Sequence, residues 1–324
     1  MQNSIVEICF IGNAIVDILA KVSNETLNKL KIPKGSMQLI DEGASDKILE
    51  LIQNPSIISG GSAANTAVGF KSFGGKCSFI GQIGNDKFGN LFSKDLNNSG
   101  IFFEFKNFQI TEKTSKSIIL VTPDAERSMN TFLGASIKFN INSFDEHFII
   151  NSKMIYIEGY LFDQPEAKEA IYHCCGLAKS QNKKVVLSLS DLFCVDRHRV
   201  DFLNLIENYV DIIFANEHEI KNLYNSDLAQ SINTIKNNVD FGAITLGSKG
   251  AVVFENKAEY YIDSIFIEEL VDTTGAGDLF AAGFLFGFVN KYSIEKCGHL
   301  GNKAASEIIK HIGARPKISL KSIL

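Results

Sequence analysis

Residues 272–278 read Asp-Thr-Thr-Gly-Ala-Gly-Asp, and an apolar, helix-like run from Leu279 to Val289 follows directly. Two glycines allow a tight turn. A helix opening from that turn presents unpaired N–H groups, those of Gly275, Ala276 and Gly277, to an anion. Asp278 adds a carboxylate beside the positive end of the helix. A base next to an anion hole is what phosphoryl transfer to a hydroxyl requires. The plainer alternative is an Asp that only stabilises the first turn of a buried helix. The flanking Asp272, Thr273 and Thr274 favour chemistry.

Further candidates follow apolar runs, where ligands of parallel sheets sit. Asn13 and Asp17 come after the run at 6–11. A carboxylate among Ala14, Ile15 and Val16 must find hydrogen-bond donors, and sugar hydroxyls are suitable ones; a turn or edge residue is the alternative. Gly60-Gly61 lets a ligand approach the backbone, and Asn65 projects from the helix that follows, although a plain glycine turn explains the same residues. Glu158 closes the run at 154–157, as a ligand contact or a solvated acid. Arg127 reads as a surface arginine by default. Asn216 and Glu219 are three apart and share a helix face, whereas His218 has no second histidine suitably spaced for a metal. Thr245, Gly247 and Gly250 follow another apolar run and suit a hairpin turn. A Gly-x-x-x-x-Gly-Lys-Ser/Thr loop is missing, since FGGKCS lacks both its spacing and its hydroxyl. Phe280 stands where a dinucleotide fingerprint needs its third glycine.

These residues need a scaffold. The 324 residues can bury a large core. Apolar strand candidates lie at 6–11, 15–21, 77–80, 154–157, 185–189, 212–215, 242–246 and 251–254. Helical stretches lie at 62–73, 165–181, 198–208, 217–224, 228–238, 278–290 and 294–312. The alternation predicts a mostly parallel α/β sheet covered on both faces. The small residues Ala63, Ala64, Ala67 and Gly69 predict close packing of their helix. Residues 101–122 break the rhythm: Phe102, Phe103, Phe105 and Phe108, then Ile118, Leu120 and Thr122, alternate roughly as antiparallel strands do. This predicts a small lid sheet, or else an edge hairpin. No linker or repeat divides residues 1–324, so a single domain is expected, with the lid formed mainly by about 15–42 and 101–133.

The net charge of −5 provides no basic field for nucleic acid. The only arginines are Arg127, Arg197, Arg199 and Arg315. Six cysteines lack Cys-x-x-Cys spacing and read as buried free thiols. With no secretory signal in the chain, a reducing, cytoplasmic setting is expected. The run at 5–20 is too short and too polar to span a membrane.

DTTGAGDLFAAGF at 272–284, GGSAANTAVGF at 60–70 and IGQIGNDKFG at 80–89 resemble the two signatures of the ribokinase (PfkB) family of carbohydrate and nucleoside kinases. The resemblance runs from Gly12 to about Pro316. It implies a three-layer α/β/α domain with a small β lid, and a phosphotransferase acting on an alcohol group, with ATP and Mg2+ as cofactors. It makes Asp278 the base and Gly275, Ala276 and Gly277 the anion hole. Asp17, Gly61 and Asn65 would bind the sugar, with Asn13 in support. Glu158 would contribute a sugar or metal-linked contact, and Arg127 would lie near the transferred phosphate. Asn216 and Glu219 match the Asn-x-x-Glu that orders magnesium and phosphate, mostly through water. Thr245, Gly247 and Gly250 match the nucleotide loop, and Asn302 the position beside adenine. Asp272 and the loop 313–316 lie where relatives often hold a monovalent cation, K+ being the one expected.

The strings GNAIVDI, VDIIFANEHEI, RSMNTFLGA and AASEIIKHIGARP look most like the adenosine-kinase branch, so adenosine is the expected acceptor. A ribose, fructose or related ketose kinase is the alternative, as is an inosine or guanosine kinase. A non-catalytic binding protein of the same fold is disfavoured by the intact Asp278 turn. Phenylalanines of the lid would stack on a purine. A monomer, or a homodimer through the lid, is expected.

Overall fold

The computed structural model describes residues 6–103, 105, 110–124 and 126–324. The strands are β1 (Val6–Ile11), β2 (Ile15–Lys21), β3 (Met37–Leu39), β4 (Ser56–Ser59), β5 (Cys77–Ile80), β6 (Phe102–Phe103) and β7 (Ser115–Val121). They continue with β8 (Arg127–Phe132), β9 (Ser152–Glu158), β10 (Lys184–Ser188), β11 (Ile212–Asn216), β12 (Phe241–Thr245), β13 (Ala251–Glu255) and β14 (Ala258–Ile262). The helices are α1 (Asn24–Leu30), α2 (Glu42–Leu51), α3 (Ser62–Phe73), α4 (Lys87–Asn98), α5 (His147–Ile150) and α6 (Pro165–Ser180). They continue with α7 (Leu192–Asn208), α8 (Glu217–Tyr224), α9 (Leu228–Ile235), α10 (Ala276–Val289) and α11 (Ile294–Ile308).

Nine strands form one sheet in the order β14-β13-β12-β11-β10-β9-β1-β5-β6. It is parallel from β12 to β6, and β13 and β14 add an antiparallel edge. The central strands are apolar on both sides because both sides are covered. On β1, Ile8 and Phe10 enter one core with α3, α4, α10 and α11, whereas Cys9 and Ile11 enter the other with α6, α7, α8 and α9. Gly69 of α3 lies against Leu279 and Ala282 of α10, the close packing that the small residues predict. After β1 the chain first adds strands on one side, then crosses to β9 and adds strands on the other. The order therefore reverses between β1 and β9, and such a switch point leaves a crevice at the strand ends.

A second sheet of five strands, ordered β3-β8-β7-β2-β4, stands over that crevice. Its inner residues Val16, Ile18, Ile118 and Leu120 are continuous with the core shared by α3 and α10. The lid expectation is corrected on one segment. Phe102 and Phe103 belong to the edge of the large sheet, paired parallel with β5. Phe103 packs against Phe79 and Phe92 at ring-centre distances of 5.7 and 5.5 Å. Phe103 is buried against α4 and Phe102 stays exposed, so their alternation did not signal a lid; Phe108 lies outside the described residues. The strand 56–59 of the small sheet carried no signal, being short and flanked by Pro55 and Gly60. Helix α7 begins at Leu192, earlier than the periodicity indicates, and breaks locally at His198 (φ −122°, ψ 24°). All six cysteines are buried and free. Among the described residues, no helix is long and apolar enough to cross a membrane.

Candidate active site

The crevice is a cavity of about 640 Å3, within the range that takes small-molecule ligands. Its floor is built from strand ends and helix starts. Its roof is the small sheet, through Ile15, Asp17, Met37, Gln38, Leu39, Ser117, Met129 and Thr131.

Asp278 sits in the first turn of α10, whose N-cap Gly275 adopts φ +78°. A side chain at 275 would be strained there and would strike Ala314. The N–H of Ala276 bonds Thr273 O at 3.2 Å, which removes it from the expected anion hole. Those of Gly275 and Gly277 have no protein partner among the described residues and remain the open donors. Asp278 accepts from Ser62 Oγ at 2.6 Å and from Asn65 Nδ2 at 3.0 Å. Burial pushes its pKa up to about 6, against the pull of Ser62, Asn65 and the Arg315 charge. A half-buried carboxylate titrating near neutrality is suited to accept a proton.

Asp17 projects from β2 into the cavity, and burial raises its pKa to about 7, against the lowering effect of Arg315. Its carboxylate lies on the Cα of Gly60, where a Cβ would overlap it, and Gly61 (φ +90°) faces the Asn13 carbonyl equally closely. The double glycine is therefore a requirement of packing against β1 and β2. Asn65 Oδ1 is buried without a protein partner among the described residues, an acceptor at the cavity wall that a ligand hydroxyl can satisfy.

Glu158 is corrected. It is fully buried and does not line the cavity. Its oxygens accept from the N–H groups of Asn13 and Ala63, both at 2.7 Å, while burial lifts its pKa to about 7. It ties β1 to α3 across the switch point and so positions Asn13 and Gly61.

Arg127 and Asp272 are corrected together. The guanidinium of Arg127 on β8 pairs with Asp272 at 2.5 Å and Thr274 Oγ1 at 3.0 Å, and it does not line the cavity. Asp272 also accepts from the N–H of Thr274 and Gly313, and these bonds outweigh burial and hold its pKa below the ordinary value. A carboxylate already facing a guanidinium and two N–H donors does not fit a monovalent cation, so the Asp272 side chain is not assigned one.

At the other end of the cavity, Asn216 caps α8. Its Oδ1 accepts from the N–H of His218 and Glu219, each at 2.9 Å, and Glu219 returns a bond to the Asn216 N–H at 2.9 Å. This reciprocal box fixes the turn. Burial raises the pKa of Glu219 to about 7. Asp191, capping α7, and Thr245 line the same wall. Three expected nucleotide contacts are displaced from the cavity: Asn302 is buried and donates to Asp263 O at 2.7 Å, and Gly247 and Gly250 lie in the β12–β13 turn. None of the three lines the cavity.

Sequence reasoning missed Ser62, Asp163, Asp191 and Arg197, all of which line the cavity. Ser62 stood inside the quoted GGSAAN string. Asp191 follows the apolar run at 185–189, the criterion that located the other candidates.

Helices on both faces of a largely parallel sheet, a second sheet over the switch point, and a base at a glycine-built helix start define a phosphotransferase acting on an alcohol group. Residues 36–320 match the family described as pfkB family carbohydrate kinase, and the chain belongs to that family. The family phosphorylates sugars and nucleosides and implies ATP. Two solved structures share the fold at a TM-score of 0.90 and 39% identity. One is a probable sugar kinase protein from Rhizobium etli CFN 42, with 99% of this chain and 98% of that chain covered. The other is the adenosine kinase from Sinorhizobium meliloti, with 98% of each covered. Adenosine kinase from Saccharomyces cerevisiae is 29% identical over 94% of both chains.

Proposed function

We propose that this kinase phosphorylates the primary hydroxyl of adenosine. The observation that carries the reading is the roof above Asp17. Ile15, Leu39, Met129 and Leu133 give an apolar surface beside a carboxylate. Adenosine presents both matching halves, a ribose for the carboxylate and a flat base for the aliphatic wall. Similarity to two adenosine kinases over nearly the whole chain supports the same reading. Among the described residues, the roof would thus offer the purine an aliphatic wall in place of the expected phenylalanines.

Asp17, Gly61 and the free Oδ1 of Asn65 orient the ribose, with Asn13 held for this task by Glu158. Asp278 accepts the hydroxyl proton as that oxygen attacks the γ-phosphorus of ATP and the bond to ADP, the leaving group, breaks. The N–H groups of Gly275 and Gly277 take the developing negative charge, as anion-hole donors do. Asn216, Glu219 and Asp191 supply oxygen donors on the nucleotide side. With their oxygens engaged in the cap, Asn216 and Glu219 would reach Mg2+ only through its water shell, the mode that ion prefers. An ion bound there with ATP would neutralise phosphate charge.

A sugar kinase is the second reading. It is favoured by the equal similarity of the Rhizobium etli protein and by a roof without aromatic side chains among the described residues. A coupled ADP-release assay with adenosine, inosine, guanosine, ribose and fructose separates the two. Preference for adenosine by kcat/KM supports the first, and preference for a free sugar rejects it.

A further inference from the structure

Five carboxylates line the cavity: Asp17, Asp163, Asp191, Glu219 and Asp278. A polyphosphate entering such a site is favoured by a cation of the protein facing it, in addition to Mg2+ and the N–H groups of the glycine turn. Among the described residues only Arg197 can supply that cation, since no lysine and no other arginine lines the cavity. The other three arginines do not line the cavity. Arg127 is paired with Asp272. Arg199 Nε donates to Leu223 O at 2.7 Å. Arg315 donates to Ser59 O at 2.9 Å and Ala64 O at 3.2 Å.

Arg197 is also held in place. Its Nε and Nη2 each reach an Asp163 oxygen at 3.0 Å, and His198 Nε2 meets the same carboxylate at 2.6 Å. The side chain of Arg197 stays 48% exposed, so donors remain for a ligand. The local break at His198 ends the first turns of α7, which carry Asp191, Phe193 and Arg197 to the cavity.

Strand order gives the place of this group. Asn216 and Thr245 end β11 and β12, Asn13 follows β1, and β10 and β9 lie between. Asp163 follows β9, and Arg197 is carried by the helix after β10. A phosphate chain running from the nucleotide wall to the acceptor must cross those two strand ends. We propose that Arg197, braced by Asp163, binds the terminal phosphates of ATP across the cavity from the Gly275–Gly277 turn. The assignment rests on the kinase reading but not on adenosine as acceptor.

Titrations with β,γ-imido-ATP and with AMP, in magnesium and without any acceptor, test it on the purified chain. Arg197→Met should weaken the imido-ATP complex by about ten- to a hundredfold, as loss of a charged hydrogen-bonding partner does, and leave AMP binding unchanged. Arg197→Lys should fall between, because a point charge replaces a planar fork. In turnover, KM for ATP should rise and KM for the acceptor should not. Unchanged imido-ATP binding in Arg197→Met overturns the proposal, and so does equal weakening of AMP. A rise confined to the acceptor KM moves Arg197 to the acceptor and also overturns it. Should Arg197→Met fail to fold, Arg197→Lys decides alone by the same contrast. If the unsubstituted chain binds no nucleotide, the kinase reading itself fails, an outcome distinct from a failed adenosine assignment.

Discussion

The two ends of the cavity are held by different kinds of bond. At the proposed acceptor end the bonds run between residues far apart in the chain: Ser62 to Asp278, Asn13 to Glu158, Ala63 to Glu158. At the nucleotide wall they are local: Asn216 with Glu219 and His218, and Asp191 with Cys194. Position at the acceptor end thus depends on the whole sheet, and position at the nucleotide wall on single turns. Damage should spread from the first and stay confined in the second.

Asp278→Asn should show the largest effect. It keeps one acceptor oxygen but removes the base, so turnover should fall by about 10²–10⁴ while the thermal midpoint changes little. Turnover at the level of the unsubstituted enzyme would remove Asp278 from its role. Glu158→Gln comes next and tests whether damage spreads. One of its two N–H partners would face an amide NH2, a loss of about 1–3 kcal/mol readable in urea melts at pH 8. KM for the acceptor should rise with it, because Asn13 and the start of α3 lose their tie; a change in stability with acceptor KM untouched would break the comparison. Asn216→Ala should cost about 1 kcal/mol, the usual value of an N-cap. It should raise KM for ATP and leave KM for the acceptor alone.

The pH dependence sharpens the same contrast. Activity should fall as pH drops through about 7 to 6, where Asp17 and Asp278 take up protons. Stability should run the opposite way. Asp17, Glu158, Glu219 and Asp278 all titrate higher folded than unfolded. The folded chain therefore holds more protons between about pH 4 and 7, and its stability declines as pH rises through that window. Asp86 and Asp272 are shifted downward, so their contribution is already complete above about pH 5 and leaves this slope alone. A higher urea midpoint at pH 5.5 than at pH 8, without ligands, is the expected result; the reverse would contradict the burial of these acids.

The same division explains what could be read from the chain. The Asn216–Glu219 pairing was legible because three-residue spacing already places both groups on one helical turn. The α/β rhythm was legible because strands buried on both sides are apolar throughout. The role of Glu158 was not, since its partners Asn13 and Ala63 are brought to it only by β1, β9 and α3 packing together. Arg127 misled for a related reason: its partner Asp272 lies 145 residues on. The Phe102–Phe103 segment misled because alternation shows that a strand has a buried face and not which sheet it joins.

The connections into the small sheet have a mechanical consequence. β1 passes to β2 through residues 12–14, and β4 passes to α3 through Gly60-Gly61. These two connections are also the segments that would grip the acceptor. A tilt of the roof would carry Asp17 on β2, while Asn13 and Gly61 stay tied to the floor through Glu158 and α3. An acceptor held between Asp17 and Asn65 would then bridge roof and floor, so its binding should restrain the roof. Divergence towards a new acceptor would then alter the swing of the roof together with the taste of the site.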